Sequence, residues 1–174
     1  MENLPSVDLG LMAEHLAAHE GVINKLFLYE SITTLPKLKE LLQLQISIMM
    51  SHVDVMLKLI DSDNKQSVNV PPLTTYEDVT FQHHFQPLND YTNKWVTLEA
   101  HNTAKCMSEQ NYISSLNMKN PNVKKAHSDM ALQQAHIQKL YNELISIMNW
   151  SFVPHSTIET QYQTYQFYSE VYHE

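Results

Sequence analysis

The chain has 174 residues, 43% of them apolar, which suits one domain with a sizeable core, since a chain of about 150 residues buries roughly 70% of its unfolded surface. Its only glycines are Gly10 and Gly21, too few for the phosphate-cradling loops, dinucleotide folds and tight β-hairpins that need glycine where φ turns positive or backbone meets ligand. Ten His stand beside 11 Lys with no Arg, at a formal net charge of -8, so bidentate grips on phosphate are missing, an acidic chain repels a polyanion, and a nucleic-acid partner is disfavoured.

Hydrophobic periodicity predicts a helix over about 8–33, with Met12, Leu16, Ile23 and Phe27 on one face. Pro36 fits a first helical turn, and Leu38, Leu41, Gln45, Met49, His52, Met56 and Leu59 carry the rhythm of a second helix over 36–60. The short connection makes these two an antiparallel hairpin. From Asp61 to Thr80 the pattern collapses around Pro71-Pro72. Phe81, Phe85, Leu88, Trp95, Leu98 and Cys106 then mark a third helix over 81–117, and Val123, Met130, Ile137, Leu140, Leu144 and Met148 a fourth over 121–149.

A helix of about 25 residues is near 37 Å long, and a connection of about 20 residues spans that at roughly 3.3 Å each. The linker can therefore run from one end of a bundle to the other, making the second and third helices parallel. That long crossover characterises ferritin-like bundles. The expected fold is thus all-α: a ferritin-like antiparallel four-helix bundle over 1–152, followed by a Tyr- and Gln-rich segment over 153–174. In that segment Ser156 and Glu159 form a candidate capping box for a short fifth helix packing on the bundle, with a disordered tail as the alternative.

Cys106 is the sole cysteine, which excludes an intramolecular disulfide and a Cys-based zinc site and fits a reducing compartment. Residues 1–10 lack a basic n-region and a long apolar h-region, and no stretch approaches 18 uninterrupted apolar residues, so neither a signal peptide nor a membrane partner is expected.

Ferritin-like metal sites take a Glu from each of two helices and a Glu-x-x-His pair from each of the others. Glu20, His52, Glu99 and His136 fall near the bundle midpoint, but Met49 and Gln133 occupy the positions three before the two His, so neither pair is intact. Two carboxylates and two imidazoles allow one iron, manganese or zinc ion and fall short of a di-iron centre. The competing reading has His52 and His136 as hydrogen-bonded core residues with no cofactor and no catalysis. His15 and His19, four apart, allow chelation on one helical face, without the H-E-x-x-H order of a metalloprotease. His83, His84 and the pair His127 and Asp129 read as solvated polar positions, and Cys106 as a small core residue.

The stretch NPNVKKAHSDMALQQAHIQKLYNELISIMNWSFVPHSTIETQYQ, with the opening LMAEHLAAHEGVINKLFLYESIT and the helix ISIMMSHVDVMLKLI, resembles the coat F family of bacterial spore coat proteins over nearly the whole chain. In that family a long helix rich in Gln, His and Leu ends in an aromatic and Pro turn before a Gln- and Tyr-rich tail. The usual Gly-Trp-Tyr-like exit reads Asn149-Trp150-Ser151-Phe152 here. The resemblance implies a structural component made in the mother-cell cytoplasm and assembled onto the spore coat, with other coat proteins as partners and no catalysis. A homodimer would follow from any apolar helix face left over. A ferritin-like metal-binding or redox protein is the alternative.

Overall fold

A computed structural model describes residues 3–81 and 91–173. Among them the regular structure is helical, with no strand: α1 Ser6–Ile32, α2 Pro36–Ile60, a 3-10 turn Leu73–Thr75, α3 Tyr91–Asn117, α4 Pro121–Ile147 and α5 Ile158–His173. The bounds of the first, second and fourth expected helices hold to within two residues. The third helix starts at Tyr91, and its expected first turns, with His83, His84, Phe85 and Leu88, lie outside the described residues.

All four long helices bury a seam that steps by four and three, with one step of seven on α1 between His19 and Leu26. It runs through Asp8, Met12, His15, His19, Leu26 and Tyr29 on α1 and through Leu38, Leu42, Gln45, Met49, His52 and Met56 on α2. It continues through Asn93, Thr97, Ala100, Ala104, Met107, Asn111 and Ser114 on α3, and Val123, His127, Met130, Gln134, Ile137, Tyr141 and Leu144 on α4. A repeat averaging 3.5 residues keeps one stripe facing the partner helices, as in coiled-coil packing. The phase corrects part of the expected core. Phe27, Trp95 and Leu98 are 47%, 50% and 38% exposed, and Cys106 is half-buried. On α3 the buried stripe is small and polar, so its larger apolar residues mark the outer flank.

The apolar interior falls into two clusters. One joins Leu26, Leu38, Leu42, Met49, Ala100, Met107, Ile137, Tyr141 and Leu144; the other joins Met12, Val55, Met56, Met118, Val123 and Met130. Between them in sequence, on every long helix, stand buried polar seam residues.

Two polar clasps tie the helical pairs together. The Asp8 carboxylate, on the first turn of α1, accepts from the backbone N–H of Lys119 at 2.8 Å and of Asn120 at 2.7 Å, in the α3–α4 turn. Reciprocally, Asn93 on the first turn of α3 accepts from the N–H of Thr34 at 3.1 Å and donates to its hydroxyl at 2.9 Å, in the α1–α2 turn. Each turn between helices is thus closed by the other helical pair. The connection after α2 is pinned to α4 by Asn122, which accepts from Val68 N–H at 2.9 Å and donates to its carbonyl at 2.6 Å, and by Gln133, which donates to the Pro71 carbonyl at 2.6 Å.

At the end of α4, Asn149 has φ 53, Asn149 N–H donates to the Ser146 carbonyl and Trp150 N–H to the Ile145 carbonyl. This is a Schellman closure in which Asn fills the left-handed position that glycine usually takes, while Trp150 packs on the core. The tail, expected as a short helix on the bundle or a disordered segment, is helical as α5. Its N-cap is Thr157, whose Oγ1 accepts from Thr160 N–H at 3.1 Å, one residue after the expected Ser156. Against the expectation of packing, its aromatic side chains are exposed, Tyr162 at 54% and Tyr165 at 70%.

Removing Asp8 leaves two backbone donors without a partner, and hydrogen bonds to a charged acceptor are worth about 1.5–3 kcal/mol each. Asp8→Ala is expected to lower stability by about 2–4 kcal/mol. Glu109→Ala, which breaks the surface pair with Lys105, should cost under about 0.5 kcal/mol. Urea unfolding followed by circular dichroism reads both.

Candidate functional site: a belt of buried histidines

The polar seam positions are His15 and His19 on α1, His52 on α2, Asn111 and Ser114 on α3, and His127, Gln133 and Gln134 on α4, with His127 set within the second apolar cluster between Ala126 and Met130. His19, His52 and His127 have no solvent exposure, and His15 has 5%. Their rings form a chain: centroids of His15 and His127 are 5.1 Å apart, of His15 and His19 6.3 Å, and of His19 and His52 5.7 Å.

One nitrogen of each ring is held. His19 Nδ1–H donates to the His15 carbonyl at 2.6 Å and His127 Nδ1–H to the Val123 carbonyl at 3.1 Å, both four residues back on their own helices. His52 Nε2–H donates to Gln133 Oε1 at 2.8 Å; the Gln133 amide is oriented by its own donation to Pro71, so the oxygen faces the imidazole. His15 Nε2 meets the Ser114 hydroxyl at 2.8 Å, which can give or take the proton. The other nitrogen of each ring, Nδ1 in His15 and His52 and Nε2 in His19 and His127, is buried without a hydrogen bond, and so is Asn111 Oδ1. Because a carbonyl or amide oxygen can only accept, the held nitrogen of three of these rings carries the proton, and in the neutral ring the free nitrogen carries a lone pair.

Burial pushes these imidazoles well below their ordinary range: His52 to about 3, against the pull of its Gln133 hydrogen bond, and His19 and His127 to about 4, each against a backbone hydrogen bond. Burial also lowers His15, opposed by the nearby Glu14 carboxylate. Beside the belt, Tyr141 O–H donates to Gln45 Oε1 at 2.8 Å, and Gln134 Nε2–H donates to Met49 Sδ at 3.2 Å.

Of the four residues expected at a mid-bundle metal site, only His52 reaches the interior. Glu20 and Glu99 are exposed and His136 is half-buried. Glu20 follows the seam residue His19 and Glu99 precedes the seam residue Ala100, and a step of one residue rotates a helical side chain by about 100°, off the seam. His127, expected on the solvated side, is fully buried. Extending the stripe of Val123 and Met130 by a step of four from Val123 marks it. Among the described residues no group of three or more His, Cys, Asp or Glu side chains stands in coordinating geometry around one point, and no helix is long and apolar enough to cross a membrane.

Burial of the belt is expected to make the fold acid-labile. Its folded-state values lie below the usual 6.5 for histidine, so in the window between about 4 and 6.5 the unfolded chain binds more protons. The stabilisation is complete above about pH 6.5 and is lost as pH falls through that window, at about 1.4 kcal/mol per pH unit for each proton taken up. Urea midpoints should drop steeply between pH 7 and pH 5, and less steeply for His127→Gln. Comparison of the chain with protein-family models, with curated proteins and with solved structures finds no match in any of the three.

Proposed function

We propose that the chain is a non-catalytic structural or assembly component of a bacterial spore coat: a ferritin-like antiparallel bundle that presents α5 for contact with other coat proteins. The bundle reading is supported by the order of pairing between α1 and α3. His15 meets Ser114, Lys25 meets Thr103 at 2.6 Å and Thr34 meets Asn93, so rising numbers on one helix meet falling numbers on the other. Gln45 with Tyr141 and His52 with Gln133 follow the same rule between α2 and α4. Helices paired in this sense place α2 and α3 in the same direction, which a long crossover must serve.

The observation that carries the assembly role is α5. An isolated helix shorter than about 12–15 residues is marginal in water, and most helices owe their stability to packing of one face. Here 16 residues are helical while Tyr162, Tyr165, Phe167, Tyr168 and Tyr172 stay at least half exposed. Local pairs support them: Gln163 Nε2–H donates to Glu159 at 2.6 Å, Gln166 Nε2–H to the Tyr162 hydroxyl at 2.8 Å, and Tyr168 stacks on Tyr172. Aromatic rings with a polar tip and few rotatable bonds are the side chains favoured in protein interfaces. The resemblance to coat F-like proteins supplies the setting: synthesis in the mother cell and deposition on the spore.

Deleting residues 151–174 should leave bundle stability within about 0.5 kcal/mol, because α5 side chains are exposed, while removing the chain from the extractable coat fraction of spores. Unchanged incorporation of the truncated, folded chain into the coat would reject the assembly role of α5.

A further inference from the structure

We propose that the chain forms an antiparallel homodimer through a second stripe on α1, in which Glu14 of each protomer pairs with the partner's Lys25. The stripe is separate from α5, and the dimer does not depend on the coat role.

Steps of four and three along α1 from Val7 to Ile32 trace this stripe, each member of which stands one position before a residue turned toward the bundle. A step of one residue rotates a helical side chain by about 100°, so the stripe points outward. It lies on the side of α3, where Lys25 Nζ donates to the Thr103 hydroxyl at 2.6 Å. Val7, Leu28 and Ile32 are exposed on it and Leu11 is half-buried. A helix with apolar residues on two sides is one that is covered on both.

The spacing reads the same in either direction, so a two-fold axis midway between Ala18 and Gly21 sets every position of the stripe opposite another. The side chains then match: Val7 meets the partner's Ile32, Leu11 the partner's Leu28, Glu14 the partner's Lys25 and Ala18 the partner's Gly21. Glu14 and Lys25 are the only charges on the stripe, and neither has an ion pair among the described residues. Within one chain they are about 16 Å apart along the helix at 1.5 Å per residue, too far to meet. Lys25 is already positioned, with its Nζ on Thr103 and 5.9 Å from the centroid of the Tyr29 ring.

Gly21 points the same way. Glycine weakens a helix interior, and a Cβ added there meets nothing within 4 Å in its own protomer. A single protomer gives no reason for glycine at this position, whereas the close approach of a second backbone does. Two adjoining grooves of about 430 and 340 Å³ share Ala18 and Gln110 and run between α1 and α3 from Lys25 to Glu14. They form a furrow in which the partner's α1 lies against both helices. With 27 residues α1 is about 40 Å long. Two helices packed about 10 Å apart make the face about 20 Å across. The resulting area, about 800 Å² per protomer, is that of a standard stable interface.

Sedimentation equilibrium of the full-length chain at about 100 μM, above the micromolar limit usual for an interface of this size, is expected to give twice the mass of one chain. Glu14→Lys and Lys25→Glu should each weaken the dimer by about 10-fold, since each sets like charges together at both symmetric contacts, and the double reversal should restore it to within about 3-fold. A role confined to one protomer cannot produce that restoration. Gly21→Leu should abolish the dimer while keeping the helicity of the chain, because leucine is the better helix former. Tyr162→Ala with Tyr165→Ala on α5 should leave the dimer intact. The proposal is overturned if the wild-type chain sediments as a monomer at that concentration, if Gly21→Leu stays dimeric, if the double reversal is no tighter than the single ones, or if the α5 variant alone loses association.

Discussion

The structure depends on a single constraint: a seam of 3.5-residue period carries polar side chains at the bundle axis, and each must face a partner on a neighbouring helix or within its own. Apolar side chains tolerate sliding of one helix along another, because any apolar neighbour serves. Hydrogen bonds do not, since a displaced donor or acceptor remains buried and unpaired. Asp8 against the α3–α4 turn, Asn93 against the α1–α2 turn, His52 against Gln133 and Tyr141 against Gln45 therefore set the register at four levels. The two apolar clusters supply most of the burial, and the polar pairs decide which of many similar packings is adopted.

The elements were legible in the sequence where a proline or a continuous apolar rhythm marked them. Pro36 and Pro121 open α2 and α4 at their first helical positions, and the collapse of periodicity after Ile60 marked the crossover. The third helix was harder because it turns Thr97, Ala100, Ala104 and Ser114 inward and leaves Trp95 and Leu98 half in solvent. Hydrophobicity alone then points to the wrong face. Small inward residues suit close approach of α3 and α4, where Ser108 donates to the Ala131 carbonyl at 2.8 Å.

The candidate site was half legible for the same reason. Pairing of carboxylates with imidazoles in the sequence points to His52 and to the His15 and His19 pair, but leaves His127 in solvent and puts Glu20 and Glu99 at the centre. The seam excludes both carboxylates by one residue. What it gathers is a set of buried imidazoles with no carboxylate among them. The outward face differs equally in character: α5 exposes the tyrosines, while the interior is dominated by aliphatic, methionine and imidazole groups.

The reciprocal clasps also bear on how the chain reaches its fold. Helical bundles usually fold fast because their contacts are local in sequence, and the rate falls as contacts become more distant. Here the Asp8 clasp spans 112 positions and the Asn93 clasp 59, and neither turn between helices is complete until the other helical pair has docked. Closure of these long loops must come before the hydrogen bonds that reward it. Completing both turns therefore requires an encounter between distant segments, a demand more familiar from sheets than from helical bundles, with each helical pair serving as the template on which the other's turn is closed.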